Sequence, residues 1–295
     1  NTTGICVFGE VLFDHFPDGN KVLGGAPFNL AWHLQAFDQK PCLISRVGDD
    51  APGQAIRAAM TGWGMNTRFL QTDVKHPTGC VEVQLENGEP RYDIVSNCAY
   101  DFISDEDEEQ THCQILYHGS LALRNHVSAR TFRYLKGKKP ERIFLDVNLR
   151  EPWWRRETVL DFADDAHWVK MNEEELRMLS SKNRPLEESA RDFRESHQIE
   201  VLVITRAENG ALAVTDKGDA ISVAPARSLH VIDTVGAGDA FSAVLVLGLS
   251  KHWPLALTME RAQAFASLLV ARRGATVQDA GFYRPLIEEW QLTAS

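Results

Sequence analysis

The stretch Asp233-Thr234-Val235-Gly236-Ala237-Gly238-Asp239-Ala240-Phe241 sets two glycines and a carboxylate directly ahead of an abrupt apolar run. Glycine reaches backbone angles closed to other residues, so this turn can aim successive N–H groups at one point where a helix begins, and that point attracts anions. The helix expected from about Asp239 carries Phe241, Val244, Leu245 and Leu247 with further apolar residues between them. That is the pattern of a buried helix whose first amides face a pocket rather than bulk water. The run reads as a phosphate cradle with Asp239 as a base in it; for a carboxylate so placed, a plain helix cap is the alternative.

The surrounding sequence narrows the ligand. A dinucleotide fingerprint needs a third glycine where Phe241 stands and falls early in its domain, whereas this cradle lies late. The pattern GxxxxGK[ST] is absent from the 295 residues, so a nucleotide here is held by other means than a Walker loop. With 44% hydrophobic and 24% charged residues, the chain has the composition of a globular protein with one large α/β domain. Its net charge of -10 and lack of any Lys/Arg run argue against a nucleic-acid partner. Five widely spaced cysteines without C-x-x-C suit free thiols in a reducing compartment rather than a disulfide framework. The set His112, Cys113 and His118 straddles an apolar strand and reads as packing, not zinc. No basic-then-apolar leader pattern follows Asn1, and the longest apolar stretch, Ala240 to Leu249, is about half a membrane span. A cytoplasmic protein with no membrane partner is expected.

Short β-rich runs at Ile5–Phe8, Cys42–Val47, Ile115–His118, Ile143–Val147, Trp168–Met171 and Val201–Thr205 alternate with helix-like segments. This predicts a mainly parallel sheet covered on both faces, with ligands beyond the carboxyl ends of its strands. The polar residues after those runs are Asp14, Asn148, Arg150, Asn172 and Arg206. One segment breaks the alternation: Val81, Val83 and Leu85, an Asn87-Gly88 turn, then Tyr92 and Ile94 spell a β-hairpin. A hairpin alone is unstable, so its apolar face must lie on the main body, a second subunit or a ligand. Together with a strand from Leu12 to Val22 it reads as a small lid sheet made of segments at about 12–22 and 78–102; an edge hairpin of the main sheet is the alternative. The acidic run after Ser104 reads as a capped helix start. Gly24-Gly25 before Pro27 reads as a turn into a helix, with a lid hinge or a close backbone approach to a substrate as the alternative.

As a whole the chain resembles the ribokinase-like (PfkB) sugar kinases, most closely their fructokinase branch. The likeness rests on FGEVLFD with Asp14, GGAPFNLA at 24–31, VGDD at 47–50, DVNLR at 146–150, KMNEEE at 170–175, ITRAENGA at 204–211, DTVGAGDAF at 233–241 and RRGAT near the end. Each piece is weak alone; their order and spacing are specific. The resemblance implies a three-layer α/β/α domain over residues 1–295 with a mainly parallel central sheet and a β-sheet lid. It implies ATP-dependent phosphorylation of a sugar hydroxyl, fructose to fructose 6-phosphate foremost, with 2-keto-3-deoxygluconate or ribose kinases and a catalytically silent sugar-binding regulator as rivals.

By the same resemblance Asp239 is the base and the amides at Gly236, Ala237 and Gly238 form the anion hole, in keeping with phosphoryl transfer being mostly positioning and charge stabilisation. Asp14, Gly24, Gly25 and Asn29 match positions that bind sugar hydroxyls, and Arg150 matches one at the phosphate end of the site. Asn172 and Glu175 match an N-x-x-E motif that supports ATP and, through water, Mg²⁺. Thr205, Arg206 and Gly210 match the nucleotide site. Carbonyls near Asp233 and Val235, with Gly274-Ala275, match a monovalent-cation site, so K⁺ is expected beside ATP and Mg²⁺. The chain departs from the family pattern at Ala207, where glycine is common, and at Val235, where threonine is frequent. A homodimer through the lid is expected as in many relatives.

Overall fold

The computed structural model describes residues 2–86, 89–105, 112–180, 184–225 and 231–292. In chain order the strands are β1 (Thr2–Phe8), β2 (Leu12–His15), β3 (Lys21–Gly24), β4 (Cys42–Gly48), β5 (Leu70–Asp73), β6 (Gly79–Glu86), β7 (Glu89–Ile94), β8 (His112–His118), β9 (Arg142–Asp146), β10 (Trp168–Asn172), β11 (Val201–Thr205), β12 (Ala211–Thr215) and β13 (Ala220–Val223). The helices are α1 (Ala26–Ala36), α2 (Ala51–Gly62), α3 (His126–Gly137), α4 (Arg156–Asp165), α5 (Glu173–Leu179), α6 (Leu186–Ser196), α7 (Ala237–Ser250), α8 (Leu255–Val270) and α9 (Ala280–Glu289). Nine strands belong to a mainly parallel sheet and four to a smaller one, as the alternating pattern predicts. The chain divides into two compact units.

One unit comprises Asn1–His112, Ala122–Lys139 and Thr276–Ser295. In it β1 pairs with β4 and β4 with β5, all parallel. The smaller sheet has the order β3-β2-β6-β7, with β2 antiparallel to β3, parallel to β6, and β6 antiparallel to β7. The expected hairpin therefore belongs to this sheet and not to an edge of the large one; its Asn87-Gly88 turn lies outside the described residues. Strand alternation puts Val81, Val83 and Ile94 on one face, and all three are buried. The segment from Leu12 forms two strands rather than one, because Asp18 and Asn20 close a turn in which Asn20 N–H donates to Asp18 Oδ1 at 2.9 Å. Helix α1 starts after Gly25 with Pro27 in its first turn and buries Phe28, Leu30, Trp32 and Leu34. The helix expected after Ser104 falls on residues 106–111, outside the described ones.

The other unit comprises Cys113–Leu121 and Pro140–Ala275. Its strands lie in the order β13-β12-β11-β10-β9-β8, parallel from β8 to β11 and antiparallel beyond. Alternation splits β9 and β10 between two faces. Ile143, Leu145, Val169 and Met171 join Val159, Leu176, Leu179 and Phe193 from α4, α5 and α6 in one buried cluster. Phe144, Asp146, Trp168 and Lys170 point the other way, toward α7, whose residues from Ala240 to Gly248 are all buried.

Cys6 and Cys113 are disulfide-bonded, while Cys42, Cys80 and Cys98 remain thiols. This corrects the expectation of free thiols throughout: spacing along a chain does not fix the state of each cysteine. No helix among the described residues is long and apolar enough to cross a membrane.

Candidate active site

The Gly236-Ala237-Gly238-Asp239 turn opens α7. Gly236 is the residue ahead of the helix and sits in the left-handed region at φ 77. A Cβ there would fall 2.4 Å from Ala275 Cβ and 2.5 Å from its Cα, so the position admits only glycine. The helix begins at Ala237, two residues earlier than the sequence suggests, which places Asp239 inside the first turn, where the helix dipole favours negative charge. Ala237 N–H donates a long bond to Thr234 O at 3.3 Å, and Ala240 N–H donates to Gly236 O at 2.9 Å. Asp233 braces the turn from below: Oδ1 accepts from Val235 N–H and Oδ2 from Gly274 N–H, each at 3.0 Å. The structure thus brings Asp233, Val235 and the Gly274-Ala275 segment together at the tip.

Beneath the tip lies a charge network absent from the sequence reading. Register pairs Lys170 on β10 with Asp146 on β9, and Lys170 Nζ lies 3.1 Å from Asp146 Oδ1 and 3.3 Å from Oδ2. Asp146, only 1% exposed, also accepts from Ser242 Oγ at 2.7 Å and Tyr117 OH at 3.2 Å. A Cβ on Gly238 would stand 3.2 Å from Lys170 Nζ, so the ammonium abuts the helix start. Burial pulls the Lys170 pKa down, but the carboxylates of Asp146, Glu175 and Asp239 outweigh it and hold the group above the ordinary lysine value. The tip therefore combines oriented amides with a fixed positive charge. A lysine between Val169 and Met171 in an apolar strand was the available signal, since a buried charge demands a partner.

Asn172 and Glu175 form a capping box at the start of α5: Asn172 Oδ1 accepts from Glu175 N–H at 2.9 Å, and Glu175 Oε2 accepts from Asn172 N–H at 2.8 Å. Glu175 Oε1 accepts from Leu149 N–H at 2.8 Å, tying the Asp146–Arg150 loop to α5. Burial raises the Glu175 carboxyl above its usual range, opposed by those backbone donors and by Lys170. Thr205 ends β11 opposite Asn172. Arg206 Nε lies 3.7 Å from Glu173 Oε2, and the Arg206 N–H donates to Gly210 O at 2.7 Å. The residues matched to a nucleotide site are thus gathered at the carboxyl ends of β10 and β11.

Ala207 takes φ 46, which explains the glycine preference at this position. Left-handed backbone costs a non-glycine residue roughly 1–2 kcal/mol, partly offset by the lower unfolded-state entropy of alanine. Ala207→Gly is expected to raise stability by about 0.5–1 kcal/mol in urea unfolding; a loss of stability would contradict this reading of the loop.

Arg150 follows β9 and is exposed, its carbonyl accepting from Trp153 N–H at 2.7 Å. A cavity of about 310 Å³ in this unit is lined by Arg156, Leu179, Ser180, Phe193 and His197 from the α4–α6 side, not by the α7 tip. In the other unit, Gly24, on β3, presents its bare Cα to Asp14: a Cβ there would sit 3.5 Å from Asp14 Oδ2. Asn29 is buried one turn into α1, where its N–H donates to Gly25 O at 2.8 Å. Asp14, Gly24, Gly25 and Asn29 are thus clustered on β2, β3 and the start of α1.

A family model described as pfkB family carbohydrate kinase matches residues 3–280. The fructokinase of Klebsiella pneumoniae is 30% identical over 292 residues, which cover 92% of this chain and 94% of that protein. The fructokinase of Escherichia coli is 28% identical over 295 residues with the same coverage of 92% and 94%. A crystal structure of a double mutant of the fructokinase from Vibrio cholerae O395, bound to fructose, ADP and potassium ion, superposes with a TM-score of 0.81 at 25% identity, covering 96% of this chain and 97% of that one. Its cradle, its parallel sheet and a family match across nearly its full length identify this chain as a member of the pfkB family of carbohydrate kinases, an ATP-dependent sugar kinase.

Proposed function

We propose that this kinase converts fructose to fructose 6-phosphate with Asp239 as the base. The observation that carries the chemistry is the α7 tip, where Asp239 stands in the first turn beside Gly236 and Gly238 and above the Lys170 ammonium. The choice of fructose rests on the relatives named fructokinase. The sugar oxygen forms a bond to the γ-phosphorus of ATP as its proton passes to Asp239, the bond to the ADP oxygen breaks, and ADP leaves. The tip amides at Gly236, Ala237 and Gly238 face the transferring group, the long Ala237 bond yielding to the stronger acceptor. Arg150 neutralises charge on the same group.

Asp14, Gly24, Gly25 and Asn29 hold the sugar hydroxyls, and Asn172, Glu175, Thr205, Arg206 and Gly210 hold ATP. Each Glu175 oxygen already accepts one backbone N–H, which fits a water-mediated contact to Mg²⁺ rather than direct ligation; when bound, that ion neutralises phosphate charge. Asp233 draws Gly274 to the Val235 turn, which fits carbonyl ligation of K⁺ there. The small sheet of segments 12–22 and 78–102 acts as the lid of a single ribokinase-like domain. A second copy pairing at its open edges, β3 or β7, would give a homodimer detectable by sedimentation.

ADP release measured with ATP, Mg²⁺ and a panel of fructose, ribose and 2-keto-3-deoxygluconate tests the proposal. Fructose is expected to give the highest kcat/KM. A higher value for another sugar overturns the substrate assignment, and sugar binding without ADP release overturns catalysis in favour of a regulator. Asn29→Ala is expected to raise KM for the sugar more than KM for ATP; the reverse order removes Asn29 from the sugar site.

A further inference from the structure

The small sheet carries a second set of chemically active side chains that phosphoryl transfer does not use. Strands β2 and β6 run parallel with His15 opposite Glu82 and Phe13 opposite Cys80. The two-residue repeat therefore sets His15, Cys80 and Glu82 on one face, away from the face shared by Asp14, Val81 and Val83. His15 Nδ1 lies 3.0 Å from Glu82 Oε1. One imidazole nitrogen, Cys80 Sγ and one Glu82 oxygen all lie within 4.8 Å of one another. The His15 and Glu82 side chains are 24% and 48% exposed, so the cluster is open to solvent.

We propose that His15, Cys80 and Glu82 bind a thiophilic divalent cation of the zinc class. Tetrahedral zinc with nitrogen and oxygen at about 2.0–2.2 Å and sulfur at about 2.3 Å separates its ligand atoms by roughly 3.3–3.6 Å. The three ligand atoms already stand within 4.8 Å of one another on two paired strands, so each has little distance to cover to reach such a centre. A thiolate with an imidazole and a carboxylate selects zinc over magnesium or calcium, which prefer oxygen donors. Three protein ligands leave the fourth position to water, which makes the ion exchangeable. On binding, the Cys80 S–H proton is released to solvent as the sulfur–metal bond forms, and the His15–Glu82 contact is replaced by two bonds to the ion. Cys80 S–H donates to Cys98, a contact that holds the proton on Cys80 and that the ion has to displace, while the Lys21 charge, opposite His15 on β3, favours the thiolate.

Cobalt(II) titration of the whole chain, followed by absorption, tests the site. A thiolate-to-cobalt charge-transfer band is expected to saturate at one ion per chain, to be displaced by Zn²⁺, and to vanish in Cys80→Ser. His15→Ala and Glu82→Gln are expected to weaken binding by about tenfold or more, while Cys98→Ser keeps the band. Circular dichroism establishes that each variant is folded. The proposal is overturned by a band that survives Cys80→Ser, by one lost only in Cys98→Ser, or by the absence of any band in the folded wild-type chain.

Discussion

Asp239→Asn is expected to lower kcat by about 10²–10⁴-fold, the usual contribution of a positioned general base. At about 1.4 kcal/mol per factor of ten, that is roughly 3–5 kcal/mol of transition-state stabilisation. Asparagine keeps the shape of the side chain at the third position of α7 but cannot accept the hydroxyl proton. KM for ATP and for sugar should therefore stay within roughly tenfold of wild type. Steady-state kinetics with an unchanged melting temperature isolates the effect. Turnover within tenfold of wild type would remove Asp239 from the role of base. A large rise in KM for ATP at constant kcat would make it a binding residue instead.

Lys170→Met is expected to cost about 3–5 kcal/mol of stability, because it leaves the Asp146 carboxylate buried without its counter-ion. Ser242 and Tyr117 still donate to Asp146, but hydroxyl dipoles do not replace a full charge. Methionine fills nearly the same volume, so cavity formation contributes little. The double variant Asp146→Asn/Lys170→Met is expected to be more stable than Lys170→Met alone, since it removes the orphaned charge along with its partner. Urea midpoints at unchanged m-value measure both. A loss under about 1 kcal/mol for Lys170→Met, or a double variant no better than the single one, would contradict a dry, mutually dependent pair. The same variant should slow phosphoryl transfer, because the ammonium lies against Gly238 at the helix start.

The α7 tip was legible because everything that makes it lies within nine contiguous residues: the glycine that must take positive φ, the carboxylate, and the apolar run. Only the first helical residue was misplaced, since the glycine–alanine pair is compatible with either start. The six strand runs were legible for the same local reason. Strand β5, Leu-Gln-Thr-Asp, was not, because its state comes from pairing with β4 rather than from its own composition. Strands β12 and β13 escaped because β13 is short and half exposed and because they close an antiparallel edge on an otherwise parallel pattern. The Lys170–Asp146 pair depends on the register between two strands, which no single segment encodes. The Asn172/Glu175 box carries a local signature, Asn-x-x-Glu at the start of a helix, in which one pair of side chains serves both as cap and as the matched motif.

The claim that the α7 tip delivers a phosphoryl group to an alcohol is tested most directly by phosphorus NMR of the wild-type chain with ATP, Mg²⁺ and fructose. A sugar-phosphate resonance growing in step with ADP, with no matching release of inorganic phosphate, is the predicted result. ADP formed with inorganic phosphate alone, or fructose bound with the ATP signals unchanged, would contradict it.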